Sequence, residues 1–469
     1  MNKINKVLIA NRGEIAVRII RACKTLGIAT VVTVSDADRD SLAARMADQA
    51  ICIGPSRPLD SYLNVGAVIQ AALGVGVDAI HPGYGFLAEK PEMAKACRDN
   101  SLIFIGPRAE LIQQMGNKIE ARGIAVRFGV PVLPGSERVR SIVDCLEIAK
   151  NIGFPLLLKA AAGGGGRGMR IVNSEHDLHA GFDAASGEAR AAFGDDSVYV
   201  ERYIRNARHV EIQILADEFG NVIHLGERDC SLQRRYQKIV EESPAPRLDT
   251  IRQGIRDAAT TLAANVGYQN AGTIEFIVDA DRQEFFFLEM NTRIQVEHPV
   301  TEMVTGTDLV QEQIRIADGS PLKFRQSEVR FDGHAIECRV NAESPDNNFR
   351  PCPGRISRWV PPTGSGIRVD THCYDGYVVP PFYDSLLAKV IVHAPSRLEA
   401  IEKMVGALSD FQLEGVDTTI PFLHDLIQRH EFANGTTNVC WVEELISRSA
   451  QRGTPRFGAC QGEKGDERH

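Results

Sequence analysis

The sequence predicts a multidomain protein that mixes α/β and α+β architecture. Three observations predict it. The chain has 469 residues, and single cores stop growing at roughly 250–300 residues, so two to four domains are expected. Its opening stretch alternates short apolar runs with helical patterns, which implies an open parallel layer. Beyond Phe154 the rhythm changes to paired strands around a glycine-rich loop.

In chain order, Val7–Ala10 reads as a buried strand that breaks at Asn11-Arg12-Gly13-Glu14. A helical pattern follows, with Ile15, Ile19, Ala22, Cys23 and Leu26 on one face and Gly27 as its C-terminal cap. Thr30–Val34 is the next strand and completes a βαβ unit. A helix near Val65–Ala72 and strands at Ala79-Ile80 and Ile103–Ile105 continue the layer. Leu156–Lys159 and Met169–Val172 form a hairpin across Ala162-Gly163-Gly164-Gly165-Gly166-Arg167-Gly168. His209–Leu215 alternates strictly. Val210, Ile212 and Ile214 point one way, and His209, Glu211 and Gln213 the other, giving one wet or functional face. Arg228–Lys238 reads as a polar loop. Gly333–Val340 and Arg355–Val360 read as strands and Leu398–Leu408 as a helix, and the chain turns polar from about Ser447 into a disordered tail.

Composition excludes several classes. The chain is 43% hydrophobic with a net charge of −8, which suits a soluble protein and argues against a general nucleic-acid binder. Its 10 cysteines include no Cys-x-x-Cys pair, so no zinc knuckle or redox pair is legible, and scattered thiols suit a reducing cytoplasm. No run approaches the ~20 apolar residues of a membrane span, and the N-terminus lacks a signal-peptide pattern. A cytoplasmic protein without membrane contact is expected.

Three constellations carry chemistry. Consecutive glycines let backbone N–H groups approach phosphate oxygens, and a run of four beside Arg167 favours a mobile phosphate lid over a plain hairpin tip. No Gly-Lys-Ser/Thr follows, so this is not a Walker P-loop. Thr273–Val278 and Glu284–Asn291 flank a turn at Asp279-Ala280-Asp281, and if it is centred near Asp281, Glu275 and Glu289 fall almost opposite each other on antiparallel strands. Paired carboxylates repel unless a cation lies between them, and with Asn291 they offer hard oxygens to Mg²⁺ or Mn²⁺. If the chain stays extended past Asn291, Arg293, Gln295 and Glu297 share that face. Arginine grips planar oxyanions, and a glutamate beside one can take its proton. A self-satisfied salt-bridge ladder is the bland alternative. The Arg228–Lys238 segment holds an anion or is solvated surface, and His81–Phe86 lies at a strand end where ligands of α/β sheets bind. Cys230 reads as a buried small side chain.

Asn11–Ala16, His81–Phe86, Gly163–Met169, His209–Gln213, Glu227–Ser231 and Glu289–Pro299 together resemble the biotin carboxylase family of ATP-grasp ligases, in order from Lys6 to about Glu443. The resemblance implies an N-terminal α/β domain over 1–114, an ATP-grasp domain over 115–330 with its lid at about 131–204, a mixed C-terminal domain over 331–447 and a tail over 448–469. It implies ATP binding by Lys118, Lys159, Gly165, Gly166, Glu201, Ile204 (through nearby backbone), His209, Gln233 and Tyr236. Two metal sites follow from Glu275, Glu289 and Asn291. Bicarbonate falls to Lys238, Arg293, Gln295 and Val296, with Glu297 as its base. Arg339 and Tyr84 fall at the biotin site. Two positions depart from the family pattern: Tyr236 replaces a histidine near ATP, and Ala162 the first lid glycine. The chain carries no Ala-Met-Lys-Met motif, so biotin is expected as a substrate on a separate biotin carboxyl carrier protein, with a separate carboxyltransferase and a homodimeric state. Another ATP-grasp ligase would share the lid and metal residues but not Arg293, Gln295, Glu297 and Arg339 together.

Overall fold

The computed structural model describes residues 4–136, 139, 141–160, 169–193, 196–248 and 250–451. Ala162 and the glycine run from Gly163 to Gly168, including Gly165 and Gly166, lie outside these residues.

Five strands form the N-terminal layer: β1 (Lys6–Ile9), β2 (Ala29–Val34), β3 (Gln49–Cys52), β4 (Ala79–His81) and β5 (Ile103–Phe104). They pair in parallel in the order β3-β2-β1-β4-β5. The chain turns outward in both directions from β1, so a crevice opens at the C-terminal ends of β1 and β4, where such sheets bind ligands. The helix Gly13–Thr25 buries Ile15, Ile19, Ala22 and Cys23 as its periodicity requires, and Gly27 follows it at φ +70°. Asn11 Nδ2 donates to the carbonyls of Pro82 and Tyr84, both at 2.7 Å, and so fixes the loop after β4. Gly83 in that loop sits at φ +62°, and a Cβ there would meet Asn11 Nδ2 at 2.9 Å.

A three-stranded unit comes next: β6 (Leu156–Ala160) lies between β7 (Met169–Val172) and β8 (Val198–Arg202), antiparallel to both. The expected hairpin is therefore present. The helices Ile142–Ile152 and Glu175–Phe193 pack on it, around their own small core of Cys145, Leu158, Leu178 and Val200.

The centre of the molecule is one eight-stranded antiparallel sheet. Six of its strands are β9 (Ala207–Ala216), β10 (Val222–Arg234), β11 (Gln237–Ser243), β12 (Asn270–Asp279), β13 (Glu284–Asn291) and β14 (His334–Asn341). Their order is β13-β12-β9-β10-β11-β14, followed by Leu386–Ala394 and Ile367–Thr371. Along β9, Val210, Ile212 and Ile214 enter an apolar cluster with Phe276, Leu262 and Ile124. All ten β9 residues are buried, so its polar face is not wet.

Four expectations are corrected. Arg228–Lys238 is not a loop: β10 and β11 run through it and meet at a tight turn of Arg235 (φ +49°) and Tyr236 (φ +65°). Two successive positive φ values suit a twisted hairpin, and the strand looks loop-like only because its charges are paired inside the molecule. The chain does not stay extended past Asn291. It bends at Thr292-Arg293 and turns again before the helix His298–Thr305. Finally, the helix Trp441–Gln451 carries ordered structure into the stretch read as a tail. The strand expected at Arg355–Val360 is two short ones, Gly354–Arg355 and Arg358–Val360.

Candidate active site

The polar faces of β9 and β12, the β10–β11 hairpin and the start of the helix His298–Thr305 converge on one amine. Lys238 Nζ lies 2.6 Å from Glu211, 3.0 Å from Glu275 and 2.7 Å from Glu297. Burial alone would lower the lysine pKa, but the three carboxylates outweigh it and hold the amine well above its ordinary range. The same contacts act in reverse on Glu275 and Glu297. Burial would raise both, yet Lys238 and neighbouring cations keep both well below the usual carboxylate range.

The predicted carboxylate pair is in register: Glu275 stands opposite Glu289 on β12 and β13. Glu275 Oε1 accepts from Asn291 Nδ2 at 2.8 Å and from Gln295 Nε2 at 2.7 Å. Its Oε2 lies 3.0 Å from His209 Nε2, which burial pushes down and Glu275 pulls back above its ordinary value. Gln233 Nε2 lies 3.0 Å from His209 Nδ1 and bonds to the Cys230 carbonyl. Glu289 is more open and pairs with Lys118 at 3.0 Å. Glu275, Glu289 and Asn291 supply hard oxygens, and each glutamate is met by an ammonium group, so the donor set fits a divalent cation. His209, Glu211 and Glu275 also bring ligand atoms within 4.8 Å of one another, but Lys238 already bonds two of these three.

Glu297 is the junction between two cations. Its Oε1 faces Lys238, and its Oε2 accepts from Arg339 Nη2 at 2.8 Å. Arg339 Nε is buried with no acceptor among the described residues. Tyr84, on the loop after β4, bonds through its hydroxyl to Glu14. Lys389 lies 3.1 Å from Glu14 and donates to the Val296 carbonyl at 2.8 Å, which fixes the backbone beside Glu297.

Other expected residues lie further out. Arg293 bonds Glu89 at 2.9 Å and Asn291 Oδ1 at 3.1 Å rather than sharing a strand face with Glu297. Lys159 pairs with Glu201 across β6 and β8. Ile204 packs with Ala207 and Phe286. Tyr236 stands at the hairpin tip, 67% exposed. Burial pushes the Cys230 thiol well up, as befits an inert side chain.

Sequence reasoning missed Arg228, Glu211, Glu241, Glu337, Glu14 and Lys389 as parts of the site. Strict alternation placed Glu211 on the polar face of β9, and Arg228 and Glu14 lay in segments already singled out, without a role of their own. The others become neighbours only through non-local strand pairing.

Comparison with known proteins bears on this geometry. Residues 3–112 match the family "Biotin carboxylase, N-terminal domain", 117–325 "Carbamoyl-phosphate synthase L chain, ATP binding domain" and 337–444 "Biotin carboxylase C-terminal domain". The chain is 53% identical over 442 residues to Biotin carboxylase 1 of Bacillus subtilis, covering 94% of this chain and 98% of that one. It is 51% identical over 447 residues to the biotin carboxylase of Haemophilus influenzae, covering 94% of this chain and 99% of that one. Among solved structures, the biotin carboxylase domain dimer of Hydrogenobacter thermophilus 2-oxoglutarate carboxylase, in complex with MgADP, ADP and bicarbonate, superposes with TM-score 0.86 at 48% identity. That match covers 94% of this chain and 97% of that one. A Campylobacter jejuni biotin carboxylase in complex with β,γ-ATP gives TM-score 0.87 at 45% identity, covering 94% and 99%.

Proposed function

The chain belongs to the biotin carboxylase family, and on that basis we propose how its own residues divide the work. It is an ATP-dependent ligase that carboxylates biotin with bicarbonate. The observation that carries the assignment of roles is Glu297, an ionised carboxylate held between Lys238 and Arg339.

Bicarbonate binds beside Lys238, Arg293, Gln295 and the Val296 backbone. Its charge draws on the same cations that hold Glu297, so Glu297 gains proton affinity when the bicarbonate proton must move. An oxygen of the deprotonated anion then attacks the γ-phosphorus of ATP, and ADP leaves. Lys118, Lys159, His209 and Gln233 contact the nucleotide, with Tyr236, Glu201, the backbone near Ile204 and lid residues Gly165 and Gly166. Glu275, Glu289 and Asn291 would hold Mg²⁺ or Mn²⁺, in two sites, which supplies neutralisation of phosphoryl charge. Carboxyphosphate breaks down to CO₂ and phosphate. Phosphate takes the ureido proton of biotin, the nitrogen attacks CO₂, and Arg339, near Tyr84, holds the oxygen that becomes negative.

Biotin arrives on a separate biotin carboxyl carrier protein, and a separate carboxyltransferase takes the carboxyl group onward, as in acetyl-CoA or a related carboxylase. The carboxylation of biotin is thus the first half-reaction of a larger assembly. A homodimer and a cytoplasmic location belong to the same reading. The dimeric relative supports the first, and the free cysteines among the described residues support the second. We assign residues 1–114, 115–330 and 331–447 to three functional regions, the middle one containing the lid at about 131–204.

The test is bicarbonate-dependent ATP hydrolysis with free biotin. Glu297→Gln should lower turnover by roughly 10²-fold or more while ATP still binds by titration calorimetry. Unchanged turnover refutes Glu297 as the base.

A further inference from the structure

The roles above leave two buried carboxylates without a task. Glu241 on β11 and Glu337 on β14 face each other in register, and both side chains are fully buried. Like charges directly opposite on a sheet repel. Neither oxygen of Glu337 meets a hydrogen-bond donor among the described residues. Such an arrangement costs stability, and apolar side chains would pack there at less cost.

Glu241 has one ion-pair contact among the described residues: its Oε1 lies 2.5 Å from Arg339 Nη2. The same nitrogen lies 2.8 Å from Glu297 Oε2. One guanidinium nitrogen is therefore shared by two carboxylates of opposite character. Glu297 is held well below the usual range, whereas burial pushes Glu241 up to about 7 against the pull of Arg339. The charged and titratable groups around Glu241 are Lys238 on its own strand, Cys230 on β10, Glu337 and Arg339 on β14, and Glu297 before the helix His298–Thr305. Behind Glu337 stand Lys389, which faces Arg339 in register, then Tyr84 with Glu14.

We propose that Glu241 is a positioning residue that keeps the Arg339 guanidinium in place once Glu297 has taken the bicarbonate proton. The proposal rests on Glu297 being the base. A neutral Glu297 no longer holds a guanidinium by charge. Without a second anion, Arg339 would be free to swing before biotin nitrogen reaches CO₂. Loss of the Glu297 charge also removes the repulsion that disfavours the Glu241 anion, so Glu241 tightens on Arg339 when it is needed.

The experiment uses the full chain with Mg-ATP, bicarbonate and free biotin, comparing Glu241→Gln and Glu241→Asp. It reads ATP hydrolysed per biotin carboxylated, the KM for ATP and the pH profile of biotin carboxylation. Glu241→Gln should raise the ATP used per carboxybiotin roughly tenfold, with KM for ATP within about twofold. Wild-type turnover should rise between about pH 6 and 8, and that rise should flatten in this variant, because the group that must ionise is gone. Glu241→Asp, which keeps the charge, should recover part of the coupling. Unchanged coupling and pH profile in Glu241→Gln would overturn the proposal. So would loss of ATP binding in both variants, which would make Glu241 a support of the fold alone. If the unaltered chain carboxylates no biotin, the parent reading fails as well, and the wild-type control separates the two failures.

Discussion

Arg228 is the residue on which the site floor depends. Its side chain is fully buried, and all five of its N–H donors are used. Nε bonds Glu211 at 2.5 Å; Nη1 bonds Gln213 at 2.8 Å and Thr301 at 3.0 Å; Nη2 bonds Thr273 at 3.0 Å and Gln295 at 2.8 Å. Through Glu211 it sets one ligand of Lys238, and through Gln295 it sets a donor to Glu275. Removing a partner from a buried pair leaves an uncompensated charge. Arg228→Met should therefore cost roughly 3–5 kcal/mol of stability, read as a lower urea midpoint. In the sequence this arginine is one of several in a polar run, and nothing local separates it from Arg234 or Arg235. Glu275 and Glu289 are a partial case: alternation about one turn brings them close, and a β-bulge between Glu275 and Phe276 puts them directly opposite.

At the level of elements, β11 shows how a strand of charged residues can be a core strand. Glu242, next to Glu241, is tied outward to two elements. Arg397 Nε lies 2.6 Å from it and His334 Nε2 lies 2.7 Å away. Burial would raise this carboxyl, but Arg397 and His334 outweigh burial and pull it from 4.5 to about 2. A depressed folded-state value means stability that is complete above the unfolded value and lost as pH falls through the folded one. The window runs from about pH 4.5 down to 2 and is worth about 3 kcal/mol. Glu242→Gln should flatten the acid slope of unfolding free energy in that window, measured by urea titration at several pH values. An unaltered slope would show that the pairing does not carry the acid response. The β10–β11 hairpin itself was illegible because polarity is the usual mark of a loop, and only its partners reveal that the charges are neutralised inside.

Across the molecule, the central sheet crosses a boundary that the sequence suggests. β11 pairs with β14, so the strands that carry Lys238 and Arg339 belong to one continuous sheet. Glu302 ties the same regions by charge. Its Oε1 accepts from Arg18 Nη2 at 2.8 Å, on the N-terminal layer, and its Oε2 from Arg368 Nη1 at 2.7 Å, on the C-terminal strands. Glu302→Ala should take one partner each from buried Arg18 and partly buried Arg368, which keep Asp308 and Asp370, and cost roughly 1–3 kcal/mol. Scanning calorimetry should show a lower Tm, and a transition split into separate steps would mark loss of coupling between the regions.

Local patterning was enough for the βαβ layer, the hairpin strands and the near-opposition of Glu275 and Glu289, while the family came from the resemblance of several short motifs. These features are encoded within a few residues of one another, by alternation, turns and motif spacing. Three others needed the folded chain: Lys238 joins three carboxylates, the backbone bends after Asn291, and Glu241 stands between Glu337 and Arg339. Those facts depend on which strands become neighbours across long stretches of chain. Strand pairing of that kind is set by burying apolar faces of the whole sheet, which no short window of sequence contains.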